Sequence, residues 1–402
     1  MPDVNSPARL VRRLALACLV LGAATAIWLP TLHYCFRPAR ADVAAAAPLA
    51  PRALAMSNRA LRLWQDPSAR AASTARIRTS NAEWDFMGRT FLVLSLANLA
   101  EREPGRRARY LATIDRIVDE TLAVERERGM YHFLMPYAHD RAFVHQPARS
   151  TFIDGEIALM IAARDVVERR PELDAELRSR IELVTEQMQA GPVLSGESYP
   201  DECWTFCNTT ALAAMRLSDV TLGTDHSALA AAWVATARRT LVDADTGMLV
   251  SSYRYDGTHL DGPEGSTIWM SAHNLLLVDP VFAREQYTLA RQHLGRDVLG
   301  FGWAREWSDA RPGVMDVDSG PIVPIVEASA GSSGFAIVGA RAFGDDAWLE
   351  SLLTSLDFAG FPISDGTELR YAAGNQVADA VLLYGMTFGP LWQKATRPGG
   401  VS

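Results

Sequence analysis

The chain has 402 residues, 49% of them apolar, and a formal net charge of −8. That content supplies a core for one large domain or two ordinary ones and excludes a disordered chain. The acidic balance, with no Lys/Arg cluster beyond the N-terminus, argues against nucleic acid as a partner, and with two of four cysteines in the body no disulfide framework is present.

At the N-terminus, Arg9, Arg12 and Arg13 precede Leu14 to Phe36, which carries no formal charge. That run is long enough to span a bilayer or to act as a secretory signal. The arginines ahead of it place the body outside the cytoplasm. The expected division is a signal-anchor or signal peptide over 1–36, an Ala/Pro-rich linker over 37–51, a catalytic domain over 52–396 and a flexible tail over 397–402. A retained anchor is preferred to cleavage among the small residues Ala41, Ala44 and Ala46, which would leave the body secreted or periplasmic.

From Pro51 onward the pattern is helical, and no stretch alternates like a strand. Leu111, Ile114, Ile117, Val118 and Leu122 form one apolar stripe, and Leu349, Leu352, Leu353 and Leu356 another. Breakers divide the body into about twelve helices, near 52–65, 81–101, 107–127, 151–169, 171–190, 203–219, 225–242, 266–279, 281–296, 328–343, 345–358 and 376–394. Short connections alternate with long ones rich in Tyr, Trp, Asp, Glu and Gly. In a chain of helical hairpins every second loop falls at the same end, so the long loops gather on one face. Six hairpins closing into a ring predict an all-α fold, an (α/α)6 barrel with its pocket at that face. The alternative, an open α-solenoid, lacks a repeat of fixed period.

The long loops hold the candidate chemistry. Asn81 to Thr90 contains Asp85 and Arg89, one turn apart and able to pair. Tyr131 to Arg149 carries His132, His139 and His145, without the spacing of a metal site. Beyond it, Glu156 beside Gly155 is either a first-turn dipole partner or a pocket acid with a raised pKa.

Next comes Ser195-Gly-Glu-Ser-Tyr-Pro-Asp-Glu-Cys-Trp-Thr-Phe-Cys-Asn208, leading into an apolar helix. Pro200 suits a first helical position, with Asp201 and Glu202 in the first turn. Cys203 and Cys207 would then share a face, with Cβ atoms about 5–6 Å apart, too far for the roughly 3.5–4.5 Å of a disulfide. A helix entrance is also a place where a thiol pKa is perturbed.

Downstream lie Ser251-Ser-Tyr253, then Trp269, and a longest loop with Trp303, Glu306, Trp307 and Asp316-Val-Asp318, an incomplete calcium-loop pattern. No metal site is predicted. The Gly-x-Ser-x-Gly, His-Glu-x-x-His and Gly-x-Gly-x-x-Gly patterns are missing from the sequence, which removes the usual support for serine hydrolase, zinc protease and dinucleotide readings.

The run Ser198-Tyr-Pro-Asp-Glu-Cys-Trp-Thr-Phe-Cys-Asn208, with Ser251-Ser-Tyr253 and Gly302-Trp-Ala-Arg-Glu306, resembles the linalool dehydratase/isomerase family over most of the body. The resemblance implies an (α/α)6 barrel, a cofactor-free lyase that adds or removes water at an allylic tertiary alcohol, and a ring-shaped homo-oligomer. Cys207 with Asn208 matches one family pocket cysteine; Ser198 stands where the other is expected, and Glu156 where the family has a histidine. Tyr253 matches a pocket tyrosine, and Asp85 takes the place of a family aspartate.

Dehydration needs an acid on the departing oxygen, a base on a neighbouring carbon's proton, and walls that exclude water. The expected assignment is Glu156 as acid and Cys207 as proton acceptor or nucleophile, assisted by Asp85, Tyr253 and Ser198. Tyr199, Asp201, Cys203, Trp204, Trp269, Trp303 and Glu306 are expected to bind the substrate, a small apolar alcohol or alkene. The alternatives are a carbohydrate-active barrel with paired carboxylates and a membrane-tethered binding protein whose cysteines serve packing.

Overall fold

A helix apolar around its whole circumference is either enclosed by other helices or spans a membrane, and the computed structural model, which describes residues 7–44, 49–317 and 319–396, encloses those of the body. The apolar helix α1 (Pro7–Trp28) leads through a 3-10 segment to a single turn, α2 (Arg40–Val43). The body then alternates outer and inner helices. α3 (Pro51–Gln65) and α4 (Pro67–Arg78) precede α5 (Ala82–Arg102), and α6 (Arg107–Arg128) precedes α7 (Thr151–Val167). α8 (Asp174–Ala190) precedes α9 (Thr205–Leu222), α10 (Ser227–Thr240) precedes α11 (Gly265–Leu275), and α12 (Pro280–His293) precedes α13 (Ala330–Phe343). α14 (Asp346–Ala359) precedes α15 (Gln376–Thr387), and α16 (Pro390–Thr396) ends the described chain.

From α5 through α7, α9, α11 and α13 to α15, each inner helix packs against the next, and α15 packs back against α5. The ring is closed, and the fold is the (α/α)6 barrel that the alternating connections predict. All 17 residues of α7 are buried, because an inner helix meets two neighbours, an outer helix and the barrel interior. Outer α6 buries one stripe, including Leu111, Ile114, Ile117, Val118 and Leu122. Where α7 meets α9, a Cβ on Gly155 would lie 3.3 Å from that of Ala211, so glycine sets their close approach.

The two ends of the barrel are finished differently. At one end side chains cap the inner helices: Asn81 accepts from Glu83 N at 2.7 Å, Ser329 from Ser332 N at 3.1 Å and Asn375 from Ala378 N at 3.0 Å. At the other end α16 forms a plug. Leu391 N donates to Asn98 Oδ1 at 3.0 Å, and Trp392 packs on buried His273, ring centroids 4.8 Å apart. Burial pushes His273 down to about 4, so it seals the floor as a neutral ring. Asn375→Ala is expected to cost about 1 kcal/mol through the lost cap, read as a lower urea midpoint with an unchanged slope.

The structure corrects several expected boundaries. Ten short strands lie in the long loops among the described residues. β1 (Cys203–Trp204), β2 (Ser252–Tyr253) and β3 (His259–Asp261) form one antiparallel sheet, and β4 (Gly295–Val298) pairs with β5 (Phe301–Ala304). β6 (Asp316–Val317), β7 (Gly320–Val323) and β8 (Ala328–Ser329) form another sheet, and β9 (Pro362–Ser364) pairs with β10 (Leu369–Tyr371). At two to four residues each, they are too short for alternation to register. The last expected helix breaks at Phe388 and Gly389, since Pro390 cannot sit inside a helix. Helix α4 has a weak apolar pattern and was not expected. The expected tail 397–402, linker residues 45–48 and Asp318 lie outside the described residues.

Candidate active site

The six inner helices direct their N-terminal ends to one side of the barrel, where the long loops gather around a cavity of about 650 Å³. Each contributes to the wall: Glu83 and Met87 from α5, Phe152 from α7, Cys207 from α9, Thr267 from α11, Phe335 from α13 and Val381 from α15. The loops add Tyr199, Trp204, Trp303 and Tyr371, and the lining is predominantly apolar.

Cys207 is the third residue of α9, and the Ser198 hydroxyl lies close enough to its thiol to favour the thiolate. The helix N-terminus favours a thiolate, but burial outweighs it and pushes the thiol well up, so Cys207 rests protonated. The perturbation expected at this helix entrance is therefore upward. Ser198 lies behind Cys207; its Oγ accepts from Trp204 N at 3.2 Å, and its own N–H donates to Glu202 O at 2.9 Å. The segment from Pro200 is therefore a turn, with Asp201 at φ 53, and not the first turn of a helix. Cys203 falls in β1 opposite Tyr253 rather than on a helical face with Cys207. All four cysteines are free.

Glu156 is buried in α7 and raised to about 8, chiefly by desolvation, so it is neutral at pH 7; Thr90 Oγ1 donates to it at 2.6 Å. It does not line the cavity, although its field reaches Cys207. Asp85 also faces away: it pairs with Arg89 at 3.1 Å and Arg78 at 3.6 Å on the outer side of α5. In its place Glu83 lines the cavity and accepts a hydrogen bond from the Tyr199 hydroxyl. Glu83, Met87 and Thr90 follow helical spacing, a signal that the Asp85–Arg89 pairing obscured.

The expected binding residues divide. Tyr199, Trp204 and Trp303 line the cavity. Tyr199 stacks on Tyr137 at 4.5 Å, and its hydroxyl accepts from Met135 N at 2.9 Å. Trp303 Nε1 donates to Val326 O at 2.9 Å. The others do not line it. Trp269 is enclosed between Trp348 and Tyr287, its Nε1 donating to Ser332 Oγ at 3.0 Å. Glu306 accepts from Ser266 N at 3.0 Å and from the hydroxyls of Ser266 and Ser329, tying α11 to β8. Asp201 pairs with Arg254 and Arg141. Buried Cys203 takes no part in the wall, and Tyr253 places its hydroxyl 2.8 Å from Ser195 Oγ.

Two further residues hold the site together. Glu197 accepts from Val144 N at 2.9 Å, His145 N at 2.7 Å and Asp201 N at 2.6 Å, fastening the histidine-bearing loop to the cysteine segment. Asn208 exchanges two hydrogen bonds with Gly196, at 2.9 and 3.1 Å. Among the described residues no group of three or more His, Cys, Asp or Glu could hold a metal ion.

A closed ring of six inner helices with a largely apolar pocket at their N-termini, carrying the Cys207 thiol and the carboxyls of Glu83 and Glu264 on its wall, defines an (α/α)6 barrel. The model of the linalool dehydratase/isomerase family matches residues 170–377, just over half of the chain, and the protein belongs to that family. At the level of the family it is a lyase/isomerase. No curated protein matches the chain. A GH76 alpha-mannanase of Bacteroides thetaiotaomicron, a solved structure, aligns at 11% identity with a TM-score of 0.48, over 75% of this chain and 84% of its own. At the N-terminus, Pro7–Cys35 is long and apolar enough to cross a membrane and is not buried against the body.

Proposed function

We propose that the protein removes water from, or adds it to, a small apolar allylic alcohol or alkene of terpenoid type, with the body held at a membrane by α1. The observation that carries this reading is a largely apolar cavity of about 650 Å³ with Cys207 and the Glu83–Tyr199 pair on its wall. The volume lies in the range that encloses a small organic molecule. Cys207, resting protonated, gives its proton to the departing hydroxyl. Glu83, oriented by Tyr199, takes the proton from a neighbouring carbon, and the C–O bond electrons leave with water. Trp204, Trp303 and Phe335 exclude solvent and offer π faces to the positive charge that develops on carbon. Glu156, neutral at pH 7, places no charge behind the thiol, and it is burial that keeps Cys207 protonated.

The apolar lining favours this reading over a sugar substrate, which would leave many hydroxyls without partners. The test is a panel of allylic tertiary alcohols and their dienes incubated with the full chain, with products identified by gas chromatography. Interconversion of alcohol and alkene is expected, with Glu83→Gln slower by about 10²-fold. Turnover of sugars with none of the allylic alcohols would overturn the assignment.

A further inference from the structure

The loops that run on from the cavity wall at Gly302, Val323 and Gly360 carry an apolar rim that the described chain leaves uncovered. Leu299 at the β4–β5 tip is 45% exposed, Phe361 ahead of β9 is 64% exposed, and Ile325 between β7 and β8 is fully exposed; Val298 and Ile363 accompany them. Leu299, Ile325 and Phe361 also hold positive φ, at 52°, 75° and 51°. Bulky side chains are disfavoured there, and glycine or asparagine would be cheaper at such tips. Neither the backbone nor the core of the barrel benefits from these side chains.

The rim is continuous with the foot of α1. Phe36 meets Phe358 edge-on at 5.1 Å, Phe358 meets Phe301 at 5.3 Å, and His33 lies over Gly300, where a Cβ would come within 2.5 Å of its ring. Cys35 and Phe36 share a second hollow with Phe361, Ile363 and Tyr371, and Tyr371 is also a wall of the main cavity. Ala359 and Gly360, between Phe358 and Phe361, line that cavity as well. Exposed Trp28 and Tyr34 stand where a spanning helix places the aromatic residues of the membrane interface. Whatever covers the apolar flank of α1 therefore reaches the rim.

We propose that this rim is a membrane-docking surface. With α1 in the bilayer, Leu299, Phe361 and Ile363 enter the interface of the leaflet from which α1 emerges, and the cavity takes its apolar substrate laterally from the lipid. The bilayer concentrates such a substrate because apolar surface leaves water favourably. The inference rests on α1 being retained as an anchor.

The test uses the full chain with exposed Cys18 and Cys35 changed to Ala. An environment-sensitive fluorophore is placed on Leu299→Cys, Phe361→Cys or, as a control on α12, Val281→Cys, which is 75% exposed. The protein is reconstituted in phosphatidylcholine vesicles carrying nitroxide on the acyl chains. Blue-shifted emission and loss of intensity are expected at 299 and 361 and not at 281. Protein that floats with the vesicles while all three labels stay in water overturns docking and leaves the anchor intact; protein that does not float overturns both. If the alcohol is turned over, Leu299→Glu with Phe361→Glu is expected to raise KM about fivefold in vesicles with kcat unchanged and no change in detergent. Equal KM in vesicles overturns lateral entry.

Discussion

Cys207→Ala is expected to lower kcat for alcohol dehydration by about 10²–10⁴-fold, the contribution of a positioned proton donor, while the barrel stays folded. Cys207 carries the thiol on a wall whose surface is predominantly apolar, and burial holds it in the protonated form. Losing one sulfur from a site already beside a cavity costs little packing. The effect should therefore fall on kcat, with circular dichroism and the urea midpoint close to the parent. Cys203→Ala is the internal control. That sulfur is buried in β1 and does not reach the cavity, so its loss is expected to lower stability modestly and leave kcat near the parent. Should the two alanine variants behave alike in single-turnover assays, Cys207 is a packing residue and the chemistry lies elsewhere on the wall.

Glu156→Gln is expected to flatten the dependence of stability on pH. The carboxyl titrates at an ordinary 4.5 in the unfolded chain and at about 8 in the folded one. Between those values the folded state holds a proton that the unfolded state has released, so stability falls as pH rises. The contribution is fully present below the unfolded value and lost as pH passes the folded one. At about 1.4 kcal/mol for each pH unit, the spread amounts to a few kcal/mol. Glutamine keeps an acceptor for the Thr90 hydroxyl and cannot ionise. The variant should therefore match the parent near pH 4 and exceed it near pH 9 in chemical denaturation, conditions chosen on either side of the two titrations. Asp165 and Asp379, each raised to about 6 by desolvation, impose the same direction on both proteins and cancel in the comparison. Parallel slopes in parent and variant would show that Glu156 is already ionised in the fold.

Both experiments turn on a distinction that the residue order could not make. Asp85 and Glu83 stand two apart in one run, and helical geometry sends them to different sides of α5: Glu83 meets the Tyr199 hydroxyl in the cavity, and Asp85 meets Arg78 and Arg89 outside it. Pro200 looked like a helix start because a proline followed by acidic residues suits a first turn. The chain instead turns there, because Ser198 N and Tyr199 N both donate to Glu202 O and Glu197 receives Asp201 N. Trp269 read as an aromatic wall, yet the cluster of Trp269, Trp348 and Tyr287 belongs to the seam between helices.

From residue order alone came the helical class, the alternation of short and long connections that closes six hairpins into a ring, the apolar N-terminal helix, and the stretch around Cys207 as part of the cavity wall. These are periodic or local properties, carried by spacing along one helix or by the composition of one loop. Which side chains share a wall was decided only by the tertiary structure. That choice depends on how six inner helices rotate about their own axes when they pack, and a rotation of one residue, about 100°, exchanges a cavity group for a buried or surface one.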